Sequence, residues 1–193
     1  MRYKRLGAAA LAVLAAAGCT NIAASPAPQL SFENYPPVSL NVATTNVEEA
    51  YILPNDKQDV SGQFVVSPTD AVKRYAARRF QASGVPGGYF TIAIEDARVH
   101  FRQIAQDNKA LQWADIGTED EYRVFLQLRV TPQPDGFSGR PGPITIKMER
   151  TLVMKSGVTL KVREDKQIAF LEKLIADVDG KIQVALDDVP AIR

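Results

Sequence analysis

Cysteine, histidine and tryptophan are nearly absent from this chain, which holds one residue of each among 193. Because Cys19 has no second cysteine to pair with, no intrachain disulfide can form and the fold must depend on an apolar core. His100 has neither a cysteine nor an acidic cluster at metal-ligand spacing beside it, so we expect no metal site. The glycines Gly84, Gly87 and Gly88 show no phosphate-loop pattern, and no cofactor is expected.

A large excess of charge of one sign and a membrane-length apolar run are also missing. Lysine and arginine number 23 against 22 aspartate and glutamate, which gives a net charge of +1. Such a balance argues against nucleic acid as a partner. Residues 6–17 carry no polar side chain, but these 12 residues fall short of the roughly 20 that cross a bilayer as a helix.

The first 18 residues have the organisation of a secretory signal peptide. Three basic residues precede the apolar run, and small residues lead up to Cys19. A positive segment, a short apolar segment and small residues at the cleavage site are the three parts of such a signal. We expect residues 1–18 to be removed, which leaves 20 basic against 22 acidic residues and a net charge of −2.

The stretch Ala16-Ala17-Gly18-Cys19 resembles the lipobox of bacterial lipoproteins, with Ala16 at the position where leucine is usual. The resemblance implies that Cys19 becomes the first mature residue and carries acyl chains such as palmitate as a membrane anchor. Thr20, where an aspartate would retain the protein at the inner membrane, implies an outer-membrane location facing the periplasm. The alternative is an ordinary signal peptide with a chance cysteine, cleaved nearby.

Residues 19–37 are predicted to form an extended, poorly packed tether. They are mostly small or polar and include four prolines. Such a composition favours extended chain with little burial. At roughly 3 Å per residue the tether would hold the folded part up to about 50 Å from the membrane. Residues 38–193 then make up a single periplasmic domain.

Alternating apolar residues predict about five strands in this domain. The strand at residues 89–101 changes its apolar parity near Asp96, which indicates a bulge or a sharp twist. The last two strands flank a loop rich in glycine and proline and are expected to pair as an antiparallel hairpin. The predicted strands cover residues 38–42, 47–53, 89–101, 122–130 and 144–154.

Apolar residues at helical spacing predict two helices. Ser67 and Pro68 are typical of a helix start, and Gly84 is expected to end that helix. The second helix runs from about Leu160 to Asp187, and its apolar stripe packs either on the sheet of its own domain, the simpler expectation, or as a short coiled-coil seam.

These elements predict an α+β fold. It is a two-layer domain with a mainly antiparallel sheet of about five strands and both helices on one face. The other face of the sheet is expected to be wetter, because polar residues share one parity along the strands. The residues of that face are Arg123, Gln127, Arg129, Lys147 and Glu149.

Four basic residues lie on the polar side of the first predicted helix: Lys73, Arg74, Arg78 and Arg79. They could bind lipid phosphates or an acidic partner, since guanidinium and ammonium groups pair with phosphate and carboxylate. The simpler interpretation is an ordinary solvated helix face. Together with Cys19, the predicted lipid attachment site, they are the candidate binding residues of the chain.

No catalytic set emerges from the sequence. His100 has no nucleophile motif of the G-x-S-x-G type to serve, and a surface position is expected for it. Glu95 and Asp96 are neighbours in a strand and therefore point to opposite faces unless a bulge intervenes. We therefore expect no enzyme, and a hydrolase is the least favoured of the functions considered.

Two further stretches have a structural and a functional interpretation. Residues 115–121 are acidic enough to bind calcium but lack the residue order of a calcium loop, so a solvated turn is favoured. Trp113 lies in a polar connection and either closes one end of the core, which is favoured, or contacts a partner.

The order of the segments resembles a family of alphaproteobacterial lipoproteins to which no activity is attached. The resemblance covers most of the mature chain and is carried by SPTDAVKRYAARRFQASG, FTIAIEDARV, DEYRVFLQLRV and ERTLVMKSGVTLKVRED. More distantly, the layout is similar to auxiliary lipoproteins of envelope ABC transporters and to small outer-membrane assembly lipoproteins. The resemblance implies fold and location, but fold alone does not define function.

Two functions stay open at this point. The first is a non-enzymatic accessory lipoprotein, anchored through Cys19 and contacting an envelope transport or assembly machine. The alternative is a small-ligand or lipid-binding module, which needs a cavity between sheet and helices lined by residues such as Phe90, Ile92 and Leu126. A solid core would exclude that alternative.

Overall fold

The structure is a computed structural model that describes residues 29–50, 56–105, 118–136 and 141–193. The predictions for the signal peptide, for Cys19 and for Trp113 concern residues outside these ranges. Within the described ranges the chain forms seven strands, two α-helices and two short 3-10 turns. The strands are β1 Val38–Leu40, β2 Thr44–Glu49, β3 Phe80–Ala82, β4 Tyr89–Asp96, β5 Val99–Ala105, β6 Thr118–Gln133 and β7 Ile144–Lys155, and the helices are α1 Pro68–Arg79 and α2 Leu160–Asp187.

Strand β6 is the centre of the larger sheet. Its C-terminal half pairs with β4 and its N-terminal half with β5, while β7 pairs along its other edge, and all three pairings are antiparallel. Strand β2 adds to β4 in parallel, and β1 and β3 form a separate parallel pair. The predicted α+β fold and the predicted β6–β7 hairpin are confirmed, with a mixed sheet of five strands and a small second sheet.

The change of parity near Asp96 is a β-bulge, as predicted. Ile94 lies opposite Leu128, but Asp96 lies opposite Gln127, so the register shifts between these two pairs. One extra residue turns the following part of the strand over. Ile94 and Ala97 can therefore both be buried in the same core, although their spacing along a regular strand would put them on opposite faces.

Helix α1 begins as predicted and ends earlier than predicted. The Ser67 hydroxyl accepts a hydrogen bond from the Asp70 backbone N–H at 3.0 Å, and Pro68 occupies the first turn. The helix ends at Arg79 and not near Gly84, because residues 80–82 leave it to pair with β1 as strand β3.

Helix α2 packs on the sheet of its own domain. Its predicted stripe of Ile168, Leu171, Ile175, Val178 and Ile182 is buried, with no more than 6% of any of these residues exposed. The stripe thus belongs to the core of the domain and not to a coiled-coil seam. In the described part of the chain, no helix is both long enough and apolar enough to cross a membrane.

Both helices cover the same face of the larger sheet. The side chains of Ile92, Leu126 and Leu128 point toward the helices and are almost fully buried. The residues of opposite parity form a face that no described helix covers, which confirms the wetter face of the prediction. Its members are at least partly exposed: Arg123, Gln127, Arg129, Lys147 and Glu149.

Candidate functional site

The structure separates the four basic residues of α1 into two groups. Arg74 and Arg78 are exposed, and neither forms an ion pair with a described residue. They lie four positions apart and so occupy the same side of the helix. Lys73 is about half exposed, and its ammonium group binds the Glu49 carboxylate at the end of β2. These three residues form a cationic surface on α1.

Arg79 is buried, with only 9% of the residue exposed. Its Nε donates a hydrogen bond to Asp179 Oδ1 at 2.8 Å, and its Nη2 donates to Asp179 Oδ2 at 3.4 Å. A solvated position is therefore wrong for this residue. Arg79 follows Tyr75 by four positions and Val72 by seven, which places it at the margin of the buried helix face next to α2.

Asp179 on α2 joins two donors from α1. Besides the Arg79 guanidinium, the Tyr75 hydroxyl donates a hydrogen bond to Asp179 Oδ1 at 2.5 Å. Burial raises the pKa of Tyr75 far above its usual value, and the hydrogen bond to the Asp179 carboxylate raises it further. The phenol therefore keeps its proton and serves as a permanent donor to the carboxylate.

The third partner of Arg79 is the N-terminal segment. The Arg79 Nη1 donates to the backbone carbonyl oxygen of Pro36. The ring of Tyr35 meets the ring of Tyr75 edge-on, with the centroids 5.5 Å apart, and Phe32 lies 6.2 Å from the same ring. Edge-to-face pairs at this separation are favourable beyond the apolar area that they bury.

Residues 30–36 are thus part of the folded domain. Leu30, Phe32 and Tyr35 pack against the core and are partly buried, and burial raises the pKa of the Tyr35 hydroxyl above its usual value. The prediction of a poorly packed tether is wrong for this stretch, because its two aromatic rings find a binding surface on α1. We call the group that holds the stretch the segment clamp; it consists of Tyr35, Pro36, Tyr75, Arg79 and Asp179.

A groove lies between β2 and α1, with a volume of about 360 Å³. Phe80, Phe90 and Ile92 form its apolar lining, and Asn46 and Lys73 contribute polar groups. A volume of roughly 300 Å³ or more is typical of small-ligand sites.

Two of the three residues named for a ligand cavity line this groove, namely Phe90 and Ile92. Leu126, the third, is 2% exposed, belongs to the packed core and does not line the groove. The space between sheet and helices is therefore filled at Leu126, and this groove opens beside β2.

His100 is tied to an acidic neighbour at the other end of the domain. Its Nε2 lies 2.7 Å from Asp56 Oδ2, and its ring packs edge-on against Phe125 with the centroids 5.0 Å apart. Among the described residues, no three histidine, cysteine or acidic side chains come together in a way that could hold a metal ion.

Glu95, the extra residue of the bulge, and the following Asp96 have separate partners. Glu95 accepts hydrogen bonds from Gln127 and Arg129, and the bond from Gln127 is the main reason that its pKa lies below the usual value. Burial opposes ionisation of Asp96, but the Arg98 guanidinium and backbone N–H groups outweigh it and lower the pKa of Asp96. Both carboxylates are ionised at neutral pH and act as hydrogen-bond and ion-pair acceptors.

Sequence reasoning missed Asp179 and the role of the segment before residue 38. Two signals were present for them. Phe32 and Tyr35 are large aromatic residues in a stretch otherwise made of small and polar ones, and such residues gain much from burial. Asp179 follows the buried Ile175 by four positions and precedes the buried Ile182 by three. This spacing puts it on the buried side of the helix, where a charged residue needs a partner.

The fold and the clamp define the molecule as an α+β domain that holds its own N-terminal segment against its helices. No protein-family model matches the sequence, and no curated protein matches it. Among solved structures it is similar to the rare lipoprotein B of Shewanella oneidensis, at 10% identity and a TM-score of 0.36 over 75% of this chain and 98% of that chain.

A second solved structure, a minor lipoprotein of Acinetobacter baumannii, is similar at 12% identity and a TM-score of 0.31, over 81% of this chain and 96% of that chain. Both neighbours are lipoproteins. Because both TM-scores lie below 0.5, the two likenesses carry no argument about what this chain does.

Proposed function

We propose that this protein is a lipid-anchored lipoprotein of the cell envelope that serves as a non-enzymatic accessory factor. In this proposal Cys19 carries the lipid, which anchors the protein in the outer membrane. The domain faces the periplasm and contacts a transport or assembly machine. The observation that supports it is the segment clamp. A clamp that fixes residues 30–36 to α1 and α2 is what a protein needs when it must present a defined face from a membrane anchor.

The clamp shortens the free connection to the anchor. If Cys19 carries the lipid, residues 20–29 lie between the anchor and Leu30, the first of the described residues that packs on the core. At roughly 3 Å per residue these ten residues reach about 30 Å. A short connection restricts the domain to a thin layer beside the membrane, with the α1 side of the domain tied to the connection.

The anchor is tested by labelling. Cells that express the wild-type chain or the Cys19→Ala variant are grown with radiolabelled palmitate, and their membranes are fractionated. We expect label on the wild type only, in the outer-membrane fraction, because the thiol is the attachment point. Label on both forms, or on neither, would contradict the anchor at Cys19.

The cationic surface of α1 is the proposed contact for an acidic partner or a phosphate group. Arg74 and Arg78 are exposed side by side, and Arg78 directly precedes the clamp residue Arg79. A guanidinium gains most from a planar anion that accepts two hydrogen bonds. The surface therefore fits a carboxylate or phosphate presented by a neighbouring envelope component.

This contact is tested by crosslinking in whole cells. The double variant Arg74→Glu/Arg78→Glu is expected to lose its crosslinked envelope product by about tenfold or more, since hydrogen bonds to charged groups each contribute about 1.5 kcal/mol or more. The matched control is Lys166→Glu/Lys173→Glu, which reverses two exposed charges on α2. An equal loss in the control, or an unchanged product in the α1 variant, would rule out this surface as the specific contact.

A second function is favoured by the groove between β2 and α1. Its apolar lining of Phe80, Phe90 and Ile92 suits the apolar body of a small molecule such as a fatty acid. A fluorescent fatty acid that saturates at one molecule per chain would support this ligand-binding module. Absence of saturable binding would exclude it, and absence of palmitate label on the wild type would make it the better supported function.

A further inference from the structure

Strand β7 has a long edge without a strand beside it. It runs over the 12 residues Ile144–Lys155, contains neither proline nor glycine, and within the described ranges pairs only with β6. Such an edge presents a row of unpaired backbone N–H and C=O groups, which natural proteins usually cover or interrupt. The edge of β7 is therefore a template for one more strand.

The opposite edge of the sheet, at β2, is less suitable for pairing. It spans only six residues, Thr44–Glu49. Its Glu49 side chain binds Lys73 of α1, and the amide of Asn46 donates to Glu48 at 2.8 Å. A very short edge strand that carries charged side chains is one of the usual ways of blocking strand addition.

We propose that β7 pairs with β7 of a second copy of this chain, antiparallel and about a two-fold axis at Met148. A two-fold axis places the same surface of both chains in contact, so the strand must be complementary to itself. With Met148 opposite Met148 of the second copy, Lys147 lies opposite Glu149 of that copy, and Glu149 lies opposite its Lys147. The symmetry therefore creates two cross-strand ion pairs.

Two further pairs of this register are favourable, and Ile146 lies opposite Arg150 of the second copy, a pair that brings no like charges together. Thr145 lies opposite Thr151 of the second copy, and Ile144 lies opposite its Leu152, each on a common face of the extended sheet. Directly opposite side chains lie close enough to interact, and Thr–Thr, apolar and opposite-charge pairs are all favourable. Nine residues on each strand, 144–152, thus pair without a like-charge contact.

The neighbouring registers are unfavourable. A slip of two residues is the smallest that keeps each side chain on its own face of the sheet. A slip in one direction places Lys147 opposite Lys147 of the second copy, and a slip in the other direction places Glu149 opposite Glu149. Like charges directly opposite each other destabilise a strand pair, so the charges of β7 select the register centred on Met148.

Both charged side chains are accessible for this pairing. Lys147 is exposed, and the Glu149 side chain is 54% exposed, with a long ion-pair contact of 3.4 Å to Arg123. An open groove of about 880 Å³ lies beside the edge, between β7 and α2, and its lining mixes apolar residues with charged ones. Val184, which lines this groove, is 66% exposed.

The pairing is tested with two differently tagged full-length copies that are expressed together, extracted from the membrane in mild detergent and captured through one tag. Capture of the second tag is expected for the wild type. With Lys147→Glu in both copies, the new carboxylate of each copy would face Glu149 of the other, and capture is expected to fall by at least about fivefold. Glu149→Lys in both copies is expected to give the same loss, now from opposed ammonium groups.

The decisive experiment expresses the two variants together. A Lys147→Glu copy together with a Glu149→Lys copy restores two opposite-charge pairs, so their mutual capture is expected to return to the wild-type level. This recovery shows that neither single variant is misfolded. Lys155→Glu is the control on the same strand, since residue 155 would lie opposite residue 141, beyond β7 of the second copy, and its capture is expected to be unchanged.

Each other result overturns the proposal. No mutual capture of wild-type copies would mean that the chain does not pair with itself. Capture that survives both single charge reversals would place the contact between copies elsewhere. Failure of the mixed pair to recover would show that the losses arise from something other than the facing of residues 147 and 149.

Discussion

Replacing Arg79 by alanine is expected to lower the free energy of unfolding by about 3 to 5 kcal/mol. The side chains of Arg79 and Asp179 are only 11% and 16% exposed, so the change leaves a carboxylate in the interior with the Tyr75 hydroxyl as its remaining partner in the clamp. It also removes the donor to the Pro36 carbonyl oxygen. Urea denaturation of the chain from residue 20 onward, followed by far-UV circular dichroism, measures the loss.

The neighbouring residue is the matched control. Arg78 has the same side chain one position earlier, but it is exposed and has no ion pair with a described residue. Arg78→Ala is expected to change the free energy of unfolding by no more than about 0.5 kcal/mol. Equal effects of the two substitutions would mean that the Arg79–Asp179 pair does not hold the helices and the segment together.

A double variant that lacks both charges tests whether the loss in Arg79→Ala comes from the unpaired Asp179 carboxylate or from lost packing. In Arg79→Met/Asp179→Leu no charge is left unpaired, and apolar side chains of similar length fill the space. Replacement of a whole buried pair is often close to neutral, so this double variant is expected to be more stable than Arg79→Ala. If it is less stable than Arg79→Ala, the additional cost arises from the lost hydrogen bond between Tyr75 and Asp179, because both variants lack the bond to Pro36.

The parts of the fold that the sequence predicts well are those with a local pattern. Strand β6 shows a clear alternation over residues 122–130, and β7 shows one that Arg150 interrupts. The bulge near Asp96 is visible as a single change of parity. The stripe of α2 repeats at helical spacing over several turns. In each case the side chains that share a face are separated by a few residues, so the pattern can be read without knowledge of the tertiary structure.

The segment clamp could not be predicted from local patterns because its partners are far apart in the chain. Tyr75 and Asp179 are 104 residues apart, and Arg79 and Pro36 are 43 apart. The early end of α1 has a similar cause, since Phe80 leaves the helix to pair with Val38 of β1. Composition alone assigned residues 30–36 to a tether, and tertiary contacts to α1 overrode that assignment.

The same limitation applies to β7. Its sequence predicts a strand, and its hairpin with β6 follows from the loop between them. That it lies at the end of the sheet depends on where β2, β4 and β5 pair. Because of this strand order, Lys147 and Glu149 lie on an edge of the sheet, where their charges can face those of a second copy.

The second large effect is expected at Tyr75, which contacts both Asp179 on α2 and the aromatic rings of residues 30–36. Tyr75 is fully buried, and its ring meets Phe32, Tyr35 and Phe80. Tyr75→Ala removes these contacts and leaves a cavity, which costs about 3 to 5 kcal/mol for an aromatic side chain. A domain of ordinary stability has only about 5 to 15 kcal/mol in total, so this variant is expected to be close to unfolding, and urea denaturation measures how close.

Tyr75→Phe separates the two roles of the side chain. It keeps the ring and removes only the hydroxyl that donates to Asp179, so its expected cost is about 1.5 to 3 kcal/mol, the range for a hydrogen bond to a charged group. Limited proteolysis then reports on the segment. We expect Tyr75→Ala to open residues 30–36 to cleavage and Tyr75→Phe to leave them protected, because Phe32 and Tyr35 pack against the ring and not against the hydroxyl. Equal cleavage in both variants would show that the hydrogen bond to Asp179, and not the aromatic contact, holds the segment on the domain.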